Sequence, residues 1–211
     1  MSLSSLFTTT AWQTGLLMGL GYLCASCLGA VWICRRTGVA DPRLRGSCNP
    51  GFSNVLRLYG KRLALATLAF DAAKGMPALW LTKSAGLPIW AQGLVGLSVL
   101  LGHSYPVWHR FRGGKAVASA FGVLLVLTPP VALLCATCWT LLAWRVRTAA
   151  IASLASATLA PLASVWLAQD YVWVIIAFTL LVLVRHVLNI RQLGSGDEPR
   201  ISRRKPVDPP L

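Results

Sequence analysis

The sequence predicts an all-α, polytopic membrane protein: seven transmembrane helices, the N-terminus outside and the C-terminus cytoplasmic. Three observations predict it. Hydrophobic residues make up 55% of the 211-residue chain and charged residues only 12%, where soluble domains carry roughly 25% charge. Apolar runs recur along nearly the whole length. Of the 20 lysines and arginines, 18 fall in alternate connections, as the positive-inside rule requires of seven helices. The net charge of +14 is therefore read as a topology signal, and no nucleic-acid partner is expected.

The first span is expected at 12–34. It is not a signal peptide, because no Lys or Arg precedes Arg35 and the charged n-region is missing. The second, 63–81, contains Asp71 and Lys74, three apart and so on one helix face. Charge within a membrane is expensive, so the pair either serves function or fixes this helix to a neighbour. Gly75 beside it allows close helix approach. The remaining runs are 87–101, 116–128, 131–144, 149–168 and 171–184. Several fall short of the ~20 residues that cross a bilayer, so they extend into flanking motifs, tilt or stop part-way. Five spans plus a re-entrant pair is the alternative. Residues 1–198 form one membrane-embedded domain, and 199–211 form a basic, Pro-rich tail suited to anionic head groups.

Three polar clusters lie on the expected inner side: "DPRLRGSCNPGFSNVLRLYGKR" (41–62), "GHSYPVWHRFRGGK" (102–115) and "RHVLNIRQLGSGDE" (185–198). Topology accounts for their cations but not for the concentration of Gly, Asn, Ser and His, which points to one interfacial site. In the first, Gly46 and Gly51 permit positive φ around Pro50, so that consecutive N–H groups can form an anion-binding nest. Ser47, Asn49, Ser53 and Asn54 add neutral polar groups, and Arg43, Arg45 and Arg57 add charge. Ser and Asn also cap helices and form turns, which is the plainer reading. In the second, Arg112-Gly113-Gly114-Lys115 opens a helix and can place backbone N–H groups and an ammonium on one anion.

Two Cys-x-x-Cys pairs, Cys24/Cys27 and Cys135/Cys138, suggest metal only at first sight. Both lie inside apolar spans, where cysteine behaves as a small hydrophobe. No metal and no cofactor is expected. No Ser-His-Asp pattern is present, so a covalent acyl-serine is not expected either.

The three clusters, in this order, resemble the acyl-phosphate:glycerol-3-phosphate acyltransferases, the PlsY family. "GSCNPGFSN" is similar to that family's GSxNxGxTN, "GHSYPVWHRFRGGKAVAS" to GHxxPVFxxFRGGKGVAT, and "HVLNIRQLGSGDE" to HxxNIxRLxxGxE. The Asp-x-x-Lys-Gly of the second span also resembles it. The resemblance implies transfer of a fatty acyl group from acyl phosphate to the 1-hydroxyl of glycerol 3-phosphate. Lysophosphatidate and phosphate would be released at the cytoplasmic face of the bacterial inner membrane. Carried over by position, it implies phosphate or substrate binding by Gly46, Ser47, Asn49, Gly51, Ser53, Asn54, Arg112, Gly113, Gly114 and Glu198, with help from Arg43, Arg45 and Arg57. It implies catalytic roles for His103, Lys115, His186 and Asn189. The base would be His103, His186 or an oxygen of the acyl phosphate.

An upstream enzyme that forms the acyl phosphate is the partner this implies, besides membrane lipid. The chain departs from the family pattern at Cys48 and Ala116, where glycine is common, at Ser53 and Ser119, which replace threonine, and at Gln192, which replaces an arginine. Gln192 removes a charge that a phosphate could use. A same-fold acyltransferase with another acceptor, an organic-phosphate transporter and an inactive scaffold are the competing readings.

Overall fold

The computed structural model describes residues 3–201; the rest of the basic tail, 202–211, lies outside the described residues. Its helices are α1 (Leu3–Ala25), α2 (Gly29–Arg36), α3 (Phe52–Tyr59), α4 (Lys61–Ala73), α5 (Met76–Ser84), α6 (Ile89–Ser104), α7 (Val117–Leu127), α8 (Pro129–Val146), α9 (Ala149–Leu167), α10 (Val172–Arg185) and α11 (Val187–Ser195). A single bridge, Thr148 with Arg200, is the one β pairing among the described residues.

Glycines set the helix contacts. A Cβ on Gly21 would press on Ser98 and Val99, and one on Gly102 would strike the Tyr22 carbonyl, so α1 and α6 run parallel and nearly touch. Gly93 and Gly96 likewise seat Val174 and Phe178, which sets α6 parallel to α10. The α8–α9 pair is antiparallel, with Trp139 Nε1 donating to Ser153 Oγ at 3.0 Å and Cys135 Sγ to the Ser156 carbonyl at 3.5 Å. Successive long elements therefore alternate in direction. One end of the bundle collects the C-termini of α1, α6, α8 and α10 with the N-termini of α4, α7 and α9. All three polar clusters lie there.

Two expected spans are interrupted. The stretch 12–34 breaks between α1 and α2, which meet at 41°. At this break Lys74 Nζ donates to the Cys27 carbonyl at 2.9 Å, and Asp71 Oδ1 accepts the Gly29 N–H at 3.0 Å. A cation thus meets the carbonyl end of one helix and an anion the N–H end of the next, the favourable pairing with each helix dipole. The stretch 63–81 breaks at Lys74-Gly75, because Pro77 has no N–H for the Ala73 carbonyl. Close to this break the Asp71 carbonyl accepts Ser119 Oγ at 3.0 Å.

By length and composition two helices, α8 and α9, can cross a membrane unbroken, or up to four spans if each bent pair counts as one. Helix α7 has only 11 residues, about 16 Å of rise, well short of the ~20 residues that cross a bilayer. Large apolar side chains cover the outside, Leu162 at 61% and Trp173 at 80% exposure among them. In water such a belt would be an association hazard.

Candidate active site

A cavity of about 520 Å³ opens at the polar end and continues between α4, α7, α8, α9 and α10. Its polar end is lined by Ser47, Asn49, Gly51, Ser53, Asn54 and Arg57 of the first cluster, His103 and Lys115 of the second, and His186, Asn189 and Glu198 of the third. Its inner part is apolar or small: Leu65, Phe121, Leu124, Ile175 and Phe178 face Ala150, Ser153, Ala157 and Ala160 of α9. Arg43, Arg45, Gly46, Arg112, Gly113 and Gly114 do not line it.

The first loop is built around Asn54, which is 1% exposed. Its Nδ2 donates to the carbonyls of Pro42 and Arg45 at 2.8 and 3.1 Å. Its Oδ1 accepts the Ser47 N–H at 3.0 Å and Arg57 Nη1 at 3.3 Å. That side chain is committed to holding the loop, which leaves Ser47, Asn49 and Ser53 to face the cavity. Gly46, at φ 64°, is packed on the same Oδ1. Arg43 is held by Asp41, 2.6 Å from Nη2 to Oδ2. Burial acts to raise the Asp41 carboxyl, but this guanidinium overrides it and holds it below its ordinary value. Arg57 ties α3 to the C-terminal segment, its Nε donating to the Arg200 carbonyl at 3.1 Å.

The second loop folds against the end of α6, the Gly114 N–H donating to the His103 carbonyl at 3.0 Å. A side chain on Gly113 would strike that carbonyl, and one on Gly114 would strike His103 Nε2. Arg185, which the sequence reading left unassigned, reaches back from α10 to donate to the carbonyls of Gly114 and Gly113 at 3.0 and 3.2 Å, and lies 4.8 Å over the Tyr105 ring. Its signal in the sequence is a guanidinium flush with the end of an apolar run and next to His186.

Lys115 makes no hydrogen bond or ion pair with any described residue. Burial pushes its ammonium down to about 8; Glu198 offsets part of this, and Arg57 and Arg185 add to it. It is a cation short of counter-charge, ready for an anion.

The two buried histidines are held differently. His103 Nδ1 lies 2.8 Å from Lys74 Nζ, and that ammonium also donates to Asp71 Oδ1 at 2.8 Å. His186 Nδ1 lies 2.8 Å from the Val182 carbonyl, which can only accept, so that nitrogen carries the proton and Nε2 is the ring's acceptor. Beyond it, Asn189 Nδ2 donates to both Glu198 oxygens at 2.9 and 2.8 Å.

The family model described as glycerol-3-phosphate acyltransferase matches residues 15–196. A glycerol-3-phosphate acyltransferase of Chromohalobacter salexigens is 65% identical over 190 residues, covering 90% of this chain and 93% of that one. Its counterpart in Burkholderia ambifaria is 43% identical, covering 88% and 90%. The crystal structure of PlsY (YgiH), an integral membrane glycerol 3-phosphate acyltransferase in its glycerol 3-phosphate form, superposes with a TM-score of 0.82 at 32% identity, over 89% of this chain and 94% of that one. The lysophosphatidic acid form gives 0.80. This chain belongs to the glycerol-3-phosphate acyltransferase family.

It is accordingly an all-helical, multi-pass membrane protein. Set in this acyltransferase fold, the departures take on local meanings. Cys48 and Ala116 both adopt the left-handed conformation, φ 55° and 59°, where glycine has no steric cost. Ser119 faces away from the cavity and keeps the hydroxyl that caps the Asp71 carbonyl. Gln192 is exposed and does not line the cavity. The Cys-x-x-Cys pairs stay free thiols, and no group of metal-ligating side chains occurs among the described residues.

Proposed function

We propose that this protein transfers a fatty acyl group from acyl phosphate to the 1-hydroxyl of glycerol 3-phosphate, releasing lysophosphatidate and inorganic phosphate. The observation that carries the reading is the two-part cavity. Cations and neutral donors gather at its polar end, and an apolar slot walled by the small residues of α9 leads away from it. Both substrates bear a phosphate and one bears a long apolar chain. Lys115 and Arg57 neutralise the phosphates, and Ser47, Asn49 and Ser53 with the first turn of α3 supply neutral donors. Asn189, oriented by Glu198, orients the acceptor hydroxyl. Phosphate is a good leaving group, so positioning and charge neutralisation carry most of the acceleration. The hydroxyl proton passes to His186 Nε2 or to an oxygen of the acyl phosphate.

We further propose that the seven alternating elements α1, α4–α5, α6, α7, α8, α9 and α10 each cross the membrane, with the N-terminus outside. The polar end then faces the cytoplasm of the bacterial inner membrane, within reach of an enzyme that forms acyl phosphate. The placement of 18 of 20 basic residues supports this. A transport path finds no support, because the mid-span charges Asp71 and Lys74 are bonded to each other and to helix ends.

The test uses protein in lipid nanodiscs, given palmitoyl phosphate and glycerol 3-phosphate, with lysophosphatidate and phosphate both followed. Equimolar formation is expected, lost in Lys115→Ala and absent with acyl-CoA. Phosphate release without lysophosphatidate would assign another acceptor.

A further inference from the structure

Lys74 has three neighbours for its ammonium: Asp71 Oδ1 at 2.8 Å, the Cys27 carbonyl at 2.9 Å and His103 Nδ1 at 2.8 Å. The side chains of Lys74 and Asp71 are 3% and 2% exposed. Asp71 also accepts the Gly29 N–H, which favours its carboxylate form. A carboxylate so buried requires its counter-ion, because an unpaired charge there is strongly unfavourable. Lys74 is therefore an ammonium, and an ammonium only donates. Asp71 Oδ1 lies 3.7 Å from His103 Nδ1, too far for that nitrogen to donate to it, so Nδ1 accepts the third proton of the ammonium at 2.8 Å. The neutral ring then carries its own proton on Nε2, the atom that abuts Gly114. Nε2 has no hydrogen-bond partner among the described residues, although the ring is 3% exposed and lines the cavity.

We propose that Lys74 is a positioning residue that holds His103 as the Nε2–H tautomer. His103 then donates a hydrogen bond to a negatively charged oxygen of the bound substrate and does not take the hydroxyl proton. This rests on the acyl-transfer reading and assigns a role within it. The ion pair thus does two things: it closes the α1–α2 break and sets the proton inventory of the ring above it. His186, protonated on the opposite nitrogen, is left as the ring able to accept a proton.

The test is ¹⁵N-histidine NMR of the protein in nanodiscs, with His103→Gln assigning the His103 signals. The expected spectrum at neutral pH shows His103 protonated at Nε2 with a bare Nδ1, and His186 with the reverse. Lys74→Met should release His103 into a tautomer mixture or the Nδ1–H form. Kinetics add an independent arm. His103→Ala should lose roughly 10²–10³ in kcat, as for loss of one anion-stabilising donor. His103→Gln, whose amide donates but is no base, should recover most of that loss. An Nδ1–H or doubly protonated His103 in the unsubstituted protein would overturn the proposal, as would a Gln variant as slow as the Ala variant with binding intact. If Lys74→Met fails to fold, the unsubstituted spectrum still decides. Failure of the acyl-transfer reading itself would show separately, as no turnover by the unsubstituted protein.

Discussion

At the scale of single residues, charge and backbone strain make separate predictions. The Lys115 ammonium sits at about 8, below the ordinary lysine value, so it is charged at lower pH and loses its charge as pH rises through that value. The phosphate-binding role proposed for Lys115 requires the charged form, so kcat/KM should fall above pH ~8 by up to tenfold per unit. In Lys115→Arg that limb should vanish, because a guanidinium stays protonated; a limb of unchanged position would assign the titration to another group. Cys48 tests strain. Its φ of 55° costs about 1–2 kcal/mol for a residue with a Cβ, and glycine gives back part of that in unfolded-chain entropy. Cys48→Gly should therefore raise thermal stability by about 0.5–1 kcal/mol without lowering kcat. No rise in melting temperature would mean that the loop does not hold that conformation.

At the scale of elements, the site depends on how helices end and how closely they approach. Arg185 spans two carbonyls from the last turn of α10, a geometry a single ammonium cannot copy. Arg185→Lys should loosen the Gly113–Gly114 turn and lower kcat/KM about tenfold, the equivalent of one charge-assisted hydrogen bond. Unchanged kinetics would show that the turn holds itself. The approach of α7 to α4 is governed by Gly122, whose Cβ would strike the Ala72 carbonyl. Gly122→Ala should cost about 1–3 kcal/mol, read as a lower melting temperature in detergent.

The sequence made the apolar runs and the three polar clusters legible because both depend on composition and local spacing. It could not show that Asp71 and Lys74 terminate helices distant in sequence, nor that Asn54 spends its amide on the loop. Those facts depend on which carbonyls the tertiary fold brings near, and a residue type alone does not encode that.

At the scale of the whole molecule, the cavity is the meeting place of loops separated by more than a hundred residues, held by alternating helix directions. Its depth is set along α9, where Ala149 to Ala160 spans about 16 Å. Filling the inner end with Ala160→Phe should shift preference toward shorter acyl phosphates while sparing activity on the shortest; equal loss across chain lengths would mean the chain lies elsewhere. The slot also has a side. Leu65 and Leu68 of α4 and Ala136 and Thr140 of α8 line it, yet α4 packs on α2, α3 and α7, and α8 on α7 and α9. Leu65 both lines the slot and is exposed on the outer apolar surface, the place for a seam that would admit the donor from the bilayer. An enzyme fed through such a seam obeys surface dilution: at constant bulk donor, adding inert phospholipid should slow it, because the concentration it senses is a mole fraction in two dimensions.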